Sequence, residues 1–256
     1  MEPSLEKPLN SLIPVSSTHK NFELLYLEYR KKIHQIYSDA QVKELPRAFT
    51  FNLQKEEWKD RAIMVGKFLK YLKKNSHVKQ IMEVGCGNGW LCHNISNAYQ
   101  RSVIGLDLSL IDIEQAQRVF KQSNLNFVHG DIFEDVLPMR SFDLIVLNNT
   151  IHQFPNLRQL IERCQLYLKS SGELHIMGSP IYKWQKLEQE RQQTLSHYES
   201  LNLSQMMQFH FHHSWDDFYP FKFRKLYTPK NILPIISHAL PLRSSLHPWV
   251  RIKNEP

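Results

Sequence analysis

The sequence predicts an α/β chain built on a doubly wound, mostly parallel seven-stranded sheet, with a helical addition at the N-terminus and an inserted segment at about 182–227. Three observations carry this. Short apolar runs near 81–84, 102–108, 126–129, 141–149 and 173–177 alternate with helical patterns. The first run empties into Gly85, Gly87 and Gly89, a spacing that lets backbone turn sharply out of a strand and approach a ligand closely. Acids sit in or just after the first three runs, as Glu83, Asp107 and Asp131, at the carboxyl edge where such sheets bind ligands. We divide the chain into a helical extension over 1–75 and a main domain over 76–256.

Residues 1–20 read as a proline-containing lead-in. From Asn21 to Tyr37 the apolar residues Tyr29, Ile33, Ile36 and Tyr37 share one helical face, and Pro46 ends the unit. A second helix spans about Glu56 to Lys73, with Trp58, Ala62, Val65, Leu69 and Leu72 on one stripe. Both helices pack on the sheet, or the first also covers part of a pocket. Trp90 to Ala98 opens the next helix, and Ser109 is available to cap the one after Asp107. A helix over about Asn156 to Leu168 buries Leu157, Leu160, Ile161, Cys164 and Leu168, and Ser170-Ser171-Gly172 turns into the strand Glu173 to Met177. Beyond it come a charged helix over Trp184 to Leu203, a strand over Phe221 to Tyr227, a helix near Asn231 to Ala239, and an antiparallel edge strand over Pro248 to Lys253.

Composition narrows the function classes. At 256 residues the chain can bury a sizeable core. It contains no apolar run long enough to span a membrane, and Met1 to Asn10 is too polar for a signal peptide, so the expected location is the cytoplasm and no membrane partner is expected. Three cysteines give neither a disulfide framework nor a zinc pattern. The net charge of +7 divides into +6 over residues 1–80, −3 over 81–180 and +4 over 181–256. The basic flanks could follow nucleic-acid phosphates, but their lysines are dispersed and lack an interleaved Arg/aromatic stripe, which favours solvated helix faces.

The glycine spacing separates two ligand classes. A dinucleotide loop wants GxGxxG, whereas here Glu83 precedes Gly85-x-Gly87-x-Gly89. That pattern resembles motif I of the class I S-adenosylmethionine (SAM) methyltransferases, and the later landmarks follow in that family's order from Val78 to Gly178. The resemblance implies a Rossmann-like fold, SAM as cofactor and S-adenosylhomocysteine as product. It places the amino-acid end of SAM at Glu83, Gly85, Gly87 and Gly89, the ribose hydroxyls at Asp107, the adenine at Asp131 and Ile132, and the methionine part at Asn148, with Leu108 a further cofactor-binding residue.

The acceptor side is less defined. Methyl transfer to an in-line nucleophile needs chiefly alignment, which supplies about 7–11 kcal/mol of barrier reduction. His152 is the candidate general base, with packing beside Phe154 as the alternative role. Asn148-Asn149-Thr150-Ile151 departs from the Asn/Asp-Pro-Pro-Tyr/Phe of adenine-N6 enzymes. Tyr182, His210, His212 and His213 are candidates for lining the acceptor pocket; His210 and His212, read as one face of a strand, could instead be structural or, with Asp216 or Asp217, metal-binding. Ser214-Trp215-Asp216-Asp217 resembles a helix N-cap, and we assign no metal. The expected acceptor is a small molecule; RNA methylation and a non-catalytic SAM-binding scaffold that activates a partner are the rivals, and an NAD-dependent oxidoreductase is disfavoured by the loop spacing. The oligomeric state is left open.

Overall fold

The computed structural model describes residues 17–47, 54–99, 101–229 and 247–254, with side chains from Asn21 onward. Seven described strands form one sheet. They are β1 (Gln80–Val84), β2 (Ser102–Asp107), β3 (Leu125–His129), β4 (Phe142–Asn148), β5 (Leu168–Met177), β6 (Phe223–Tyr227) and β7 (Trp249–Lys253), in the order β3-β2-β1-β4-β5-β7-β6. The first five run parallel and the last two pairings are antiparallel, so the expected Rossmann-like, mostly parallel seven-stranded sheet is present. The order reverses between β1 and β4, which opens a crevice at their carboxyl ends.

Burial on both faces explains why the central strands are continuously apolar rather than alternating. Ile81 and, on β4, Leu144 and Val146 face one core with the helices α3 (Lys55–Lys74), α4 (Trp90–Tyr99) and α5 (Leu110–Val119). Met82, Val84, Ile145 and Leu147 face the other core, beneath α6 (Leu157–Tyr167). Arg101 ties the end of α3 to this frame, donating to Leu72 O and Val78 O at 2.5 Å.

The N-terminal helix α1 (Ser17–Lys32) stops five residues before the expected end. His34 adopts φ +56°, and Gln35 N–H bonds Arg30 O at 2.8 Å while His34 N–H bonds Lys31 O at 3.2 Å. These are the two bonds of a left-handed helix stop, so Ile36 falls off the helical face and is 46% exposed. The short helix α2 (Asp39–Lys43) follows, closed by a Ser38/Gln41 capping box that our reading missed.

Two further expectations change, and a third is not reached by the described residues. Strand β5 starts at Leu168, immediately after α6, although its pairing with β4 is regular only from Leu144↔Glu173, past Ser170-Ser171-Gly172. Strand β7 is antiparallel but interior, between β5 and the true edge β6. Its flanking polar residues conceal this, because Arg251 reaches Glu173 at 3.2 Å and Trp249 Nε1–H donates to buried His175 at 3.0 Å. The helix expected near 231–239 lies outside the described residues. The charged helix of the insertion is α7 (Leu187–Ser200), entered through a 3₁₀ turn over Trp184–Lys186.

Gly89 is a packing residue of this frame. Its φ is +75°, and a Cβ there would lie 2.4 Å from the Phe127 ring. Gly89→Ala is therefore expected to destabilise the fold by about 3 kcal/mol, combining left-handed strain with overpacking, as measured by chemical denaturation.

Candidate functional site

A cavity of about 430 Å³ lies at the carboxyl ends of β1, β2 and β4. Phe22, Tyr26, Tyr29 and Arg30 of α1 contribute to its wall, as do Glu57, Trp58 and Arg61 from the first turns of α3. The first helix thus partly covers the pocket, one of its two expected roles.

The floor is organised by Asp107. One carboxylate oxygen accepts from Gly87 N–H at 2.7 Å and the other from Ser109 N–H at 2.8 Å, which locks the loop after β1 to the start of α5. Ser109 also caps α5 as expected, its hydroxyl accepting from Asp112 N–H at 3.3 Å. Gly87 takes φ +51°, and a Cβ built on it meets no atom within 4 Å, so this is the point where backbone borders open space. Gly85, at φ +73°, is required for another reason: a Cβ there would lie 2.1 Å from Thr150 Oγ1. Among the described residues, no side chain fills the space beside Gly87, which leaves the loop a cradle open to a ligand.

Burial dominates the electrostatics of this floor. Glu83 is enclosed with the Cys92 thiol donating to it at 2.9 Å; desolvation pushes its carboxyl up to about 8 despite that bond, and the nearby Asp107 adds to the rise. Desolvation and the charge of Asp112 raise Asp107 to about 6, against the lowering effect of its two N–H donors. Arg30 meets Asp112 through two bonds of 2.6 and 2.7 Å, in a largely buried ion pair that carries the latch from α1 to α5. A buried and a half-buried acid, both with raised affinities for protons, form a site suited to a cation-bearing ligand.

The predicted site residues separate into two groups. Glu83, Gly85, Gly87, Asp107, Asn148, His152 and His210 line the cavity. Gly89, Leu108, Asp131, Ile132, Tyr182, His212 and His213 lie outside its lining. Asp131 accepts from Phe133 N–H at 2.9 Å, and Ile132 is buried in the core. His213 is also buried and donates Nε2–H to Ile151 O at 2.9 Å, while Tyr182 joins His213 and Trp215 through its backbone. The segment expected to be a strand is irregular chain between a 3₁₀ turn over Ser204–Phe209 and another over Trp215–Phe218, the second capped by Ser214 and Asp217 as its sequence suggested. His210 and His212 consequently stack face to face, ring centres 4.9 Å apart, instead of sharing a strand face. Among the described residues no His/Cys/Asp/Glu group is arranged to hold a metal.

His152 sits on a 3₁₀ turn over Ile151–Gln153 with its ring 4.9 Å from that of His210. Burial, then the neighbouring His213 and Arg61, lower it to about 4; burial and the adjacent His152 and His212 lower His210 to about 3. Both are neutral imidazoles at physiological pH. The Arg30–Asp112 latch, the roof residues and Arg61, which lies 4.6 Å above the Trp58 ring and pairs with Glu57, escaped sequence reasoning, since the partners of the latch are 82 residues apart.

Residues 81–172 match the Methyltransferase domain family. Over 95 residues the chain is 33% identical to a malonyl-[acyl-carrier protein] O-methyltransferase of Priestia megaterium, covering 37% of this chain and 34% of that protein. Over 187 residues it is 29% identical to a ribosomal RNA large subunit methyltransferase G of Psychromonas ingrahamii, covering 62% and 48%. The chain therefore spans a third to a half of the length of these curated relatives. The fold matches that of magnesium protoporphyrin IX methyltransferase from Synechocystis PCC 6803, solved with bound S-adenosylhomocysteine, at a TM-score of 0.57 over 93% of this chain and 98% of that one, with 14% identity. Together with the loop, these matches define a class I SAM-dependent methyltransferase domain over residues 81–172. SAM is the cofactor of that family, and the Gly87 cradle beside Asp107 and Glu83 fits it.

The raised acids carry a pH signature. Because the folded protein binds the Glu83 proton more tightly than the unfolded chain does, that stabilisation is complete below about 4.5 and is lost as pH rises through about 8. Between pH 7 and 9, where the lowered histidines no longer titrate, the thermal midpoint of the ligand-free protein should fall. In Glu83→Gln the fall should flatten, as read by thermal denaturation across that range.

Proposed function

We propose that this chain transfers a methyl group from SAM to a small-molecule acceptor held in the same cavity. The observation that carries the reading is the half-buried Asp107 bridging Gly87 and Ser109 on the floor of a cavity that α1 roofs. SAM, when bound, supplies an electrophilic methyl on its sulfonium. In this reading Gly85 and Gly87 hold its amino-acid end beside Glu83, Asp107 addresses the ribose with Leu108 next to it in the cofactor site, Asp131 and Ile132 address the adenine, and Asn148 the methionine part. Gly89 serves the loop by keeping Phe127 packed against it.

On the acceptor side, His152 offers the neutral imidazole that can take a proton. So weak a base helps an acceptor whose proton becomes acidic only as the methyl arrives. A roofed space of about 430 Å³ favours a small acceptor over a nucleic-acid strand. The RNA alternative draws on the basic flanks and on the ribosomal RNA relative, and strongly salt-dependent RNA binding would favour it. A SAM-binding scaffold without turnover is the other rival. No described helix is long and apolar enough to cross a membrane.

Asp107→Asn keeps the size of the side chain while removing the charged acceptor. A hydrogen bond to a charged group is worth about 1.5–3 kcal/mol, and the Asn side chain leaves one of the two backbone N–H groups without its acceptor, so SAM affinity should fall about tenfold or more. Calorimetric titration reads this directly, and unchanged affinity would refute the ribose assignment.

A further inference from the structure

The insertion places a second hydrogen-bonded pair at the cavity that the family's landmarks do not include. Tyr198 of α7 is buried, and its hydroxyl lies 2.8 Å from His210 Nδ1. The Tyr198 ring is held from the other side by Tyr29 of α1, edge-on at 5.3 Å, and by Leu203 and Met206. His210 is clamped between two rings, with His152 and His212 each 4.9 Å away. With Nδ1 engaged, the one remaining polar ring atom of His210, a residue that lines the cavity, is Nε2.

The proton positions follow from counting donors. The Thr194 hydroxyl donates to Glu190 O at 3.0 Å, so its 2.8 Å contact with His212 Nε2 requires that nitrogen to carry the proton. His212 is thereby fixed without reference to the cavity. The Tyr198 hydroxyl has His210 Nδ1 as its hydrogen-bond partner among the described residues. A buried phenol proton with one acceptor in reach goes to that acceptor, which leaves the His210 proton on Nε2.

Charges at the acceptor side are already matched. Arg61 pairs with Glu57 and Arg30 with Asp112, while Phe22, Tyr26 and Tyr29 offer flat apolar walls. We propose that Tyr198 fixes His210 as the Nε2–H tautomer, and that His210 thereby reads a lone-pair oxygen or nitrogen on a flat, uncharged, aromatic acceptor. Tyr198 is a positioning residue and His210 the specificity-determining one. The proposal rests on the methyltransferase reading, because it takes the cofactor end of the cavity to be filled by SAM or its product.

Quinoline and naphthalene are a matched probe pair, alike in shape and differing in one ring nitrogen that accepts a hydrogen bond. With the full chain saturated by S-adenosylhomocysteine, quinoline should bind about three- to tenfold more tightly than naphthalene, the span of one neutral hydrogen bond. Tyr198→Phe keeps the ring that packs on Tyr29 but frees the tautomer, so the preference should shrink while S-adenosylhomocysteine affinity stays unchanged; His210→Phe should abolish it. Long-range ¹H–¹⁵N spectra of the wild-type protein should show the His210 proton on Nε2, and a mixture of tautomers in Tyr198→Phe. A wild-type proton on Nδ1, equal affinity for the two probes, or no binding of either while S-adenosylhomocysteine binds would each overturn the proposal. Failure of S-adenosylhomocysteine itself to bind the wild-type chain would instead count against the methyltransferase reading.

Discussion

The site depends on one carboxylate held between two backbone N–H groups. Asp107 ends β2, yet its bonds go sideways to Gly87 in the loop after β1 and forward to Ser109 at the head of α5. Without an acceptor there, both N–H groups would be left unpaired in a largely buried loop, at a cost of about 1–3 kcal/mol each. The same arrangement extends outward: Ser109 caps Asp112, Asp112 takes Arg30, and Arg30 brings α1 across the cavity. A loop conformation, a helix start and a roof are therefore consequences of where one acid sits on the second strand.

The two ends of the cavity differ in charge. The floor gathers Glu83 and Asp107, whose carboxyls burial raises above the usual carboxylate range, Glu83 the more strongly. The far wall gathers histidines that are reluctant to become cations, because burial and one another's proximity lower them. The division suits a cationic cofactor at one end and an uncharged acceptor at the other. The QFHFHH histidines are engaged in stacking and in hydrogen bonds to Thr194, Tyr198 and Ile151.

Legibility tracked the range of the interactions involved. The strands, the glycine loop and Asp107 could be read because each is a local pattern: an apolar run, a left-handed turn, an acid at a strand end. Ser109 as a cap and the Ser214/Asp217 capping box were readable for the same reason. The end of α1 was missed because the backbone bonds that stop it are made by His34, a residue without glycine's signature, although the Arg30-Lys31-Lys32 run was a hint. The interior place of β7 was hidden by Arg251, whose charge suggested an edge and whose partner is Glu173 on the neighbouring strand. Asp131 and Ile132, carried over from the family's order, lie off the cavity lining, while Arg30, Arg61 and Tyr198 reach it or support it through contacts that no spacing announces.

The central claim is that the loop cradles SAM and not a dinucleotide. Parallel calorimetric titration of ligand-free protein with SAM, S-adenosylhomocysteine and NAD tests it most directly. The account predicts saturable binding of the first two with one site per chain and no heat from NAD. Binding of NAD, or silence with both sulfur ligands in folded protein, would contradict it.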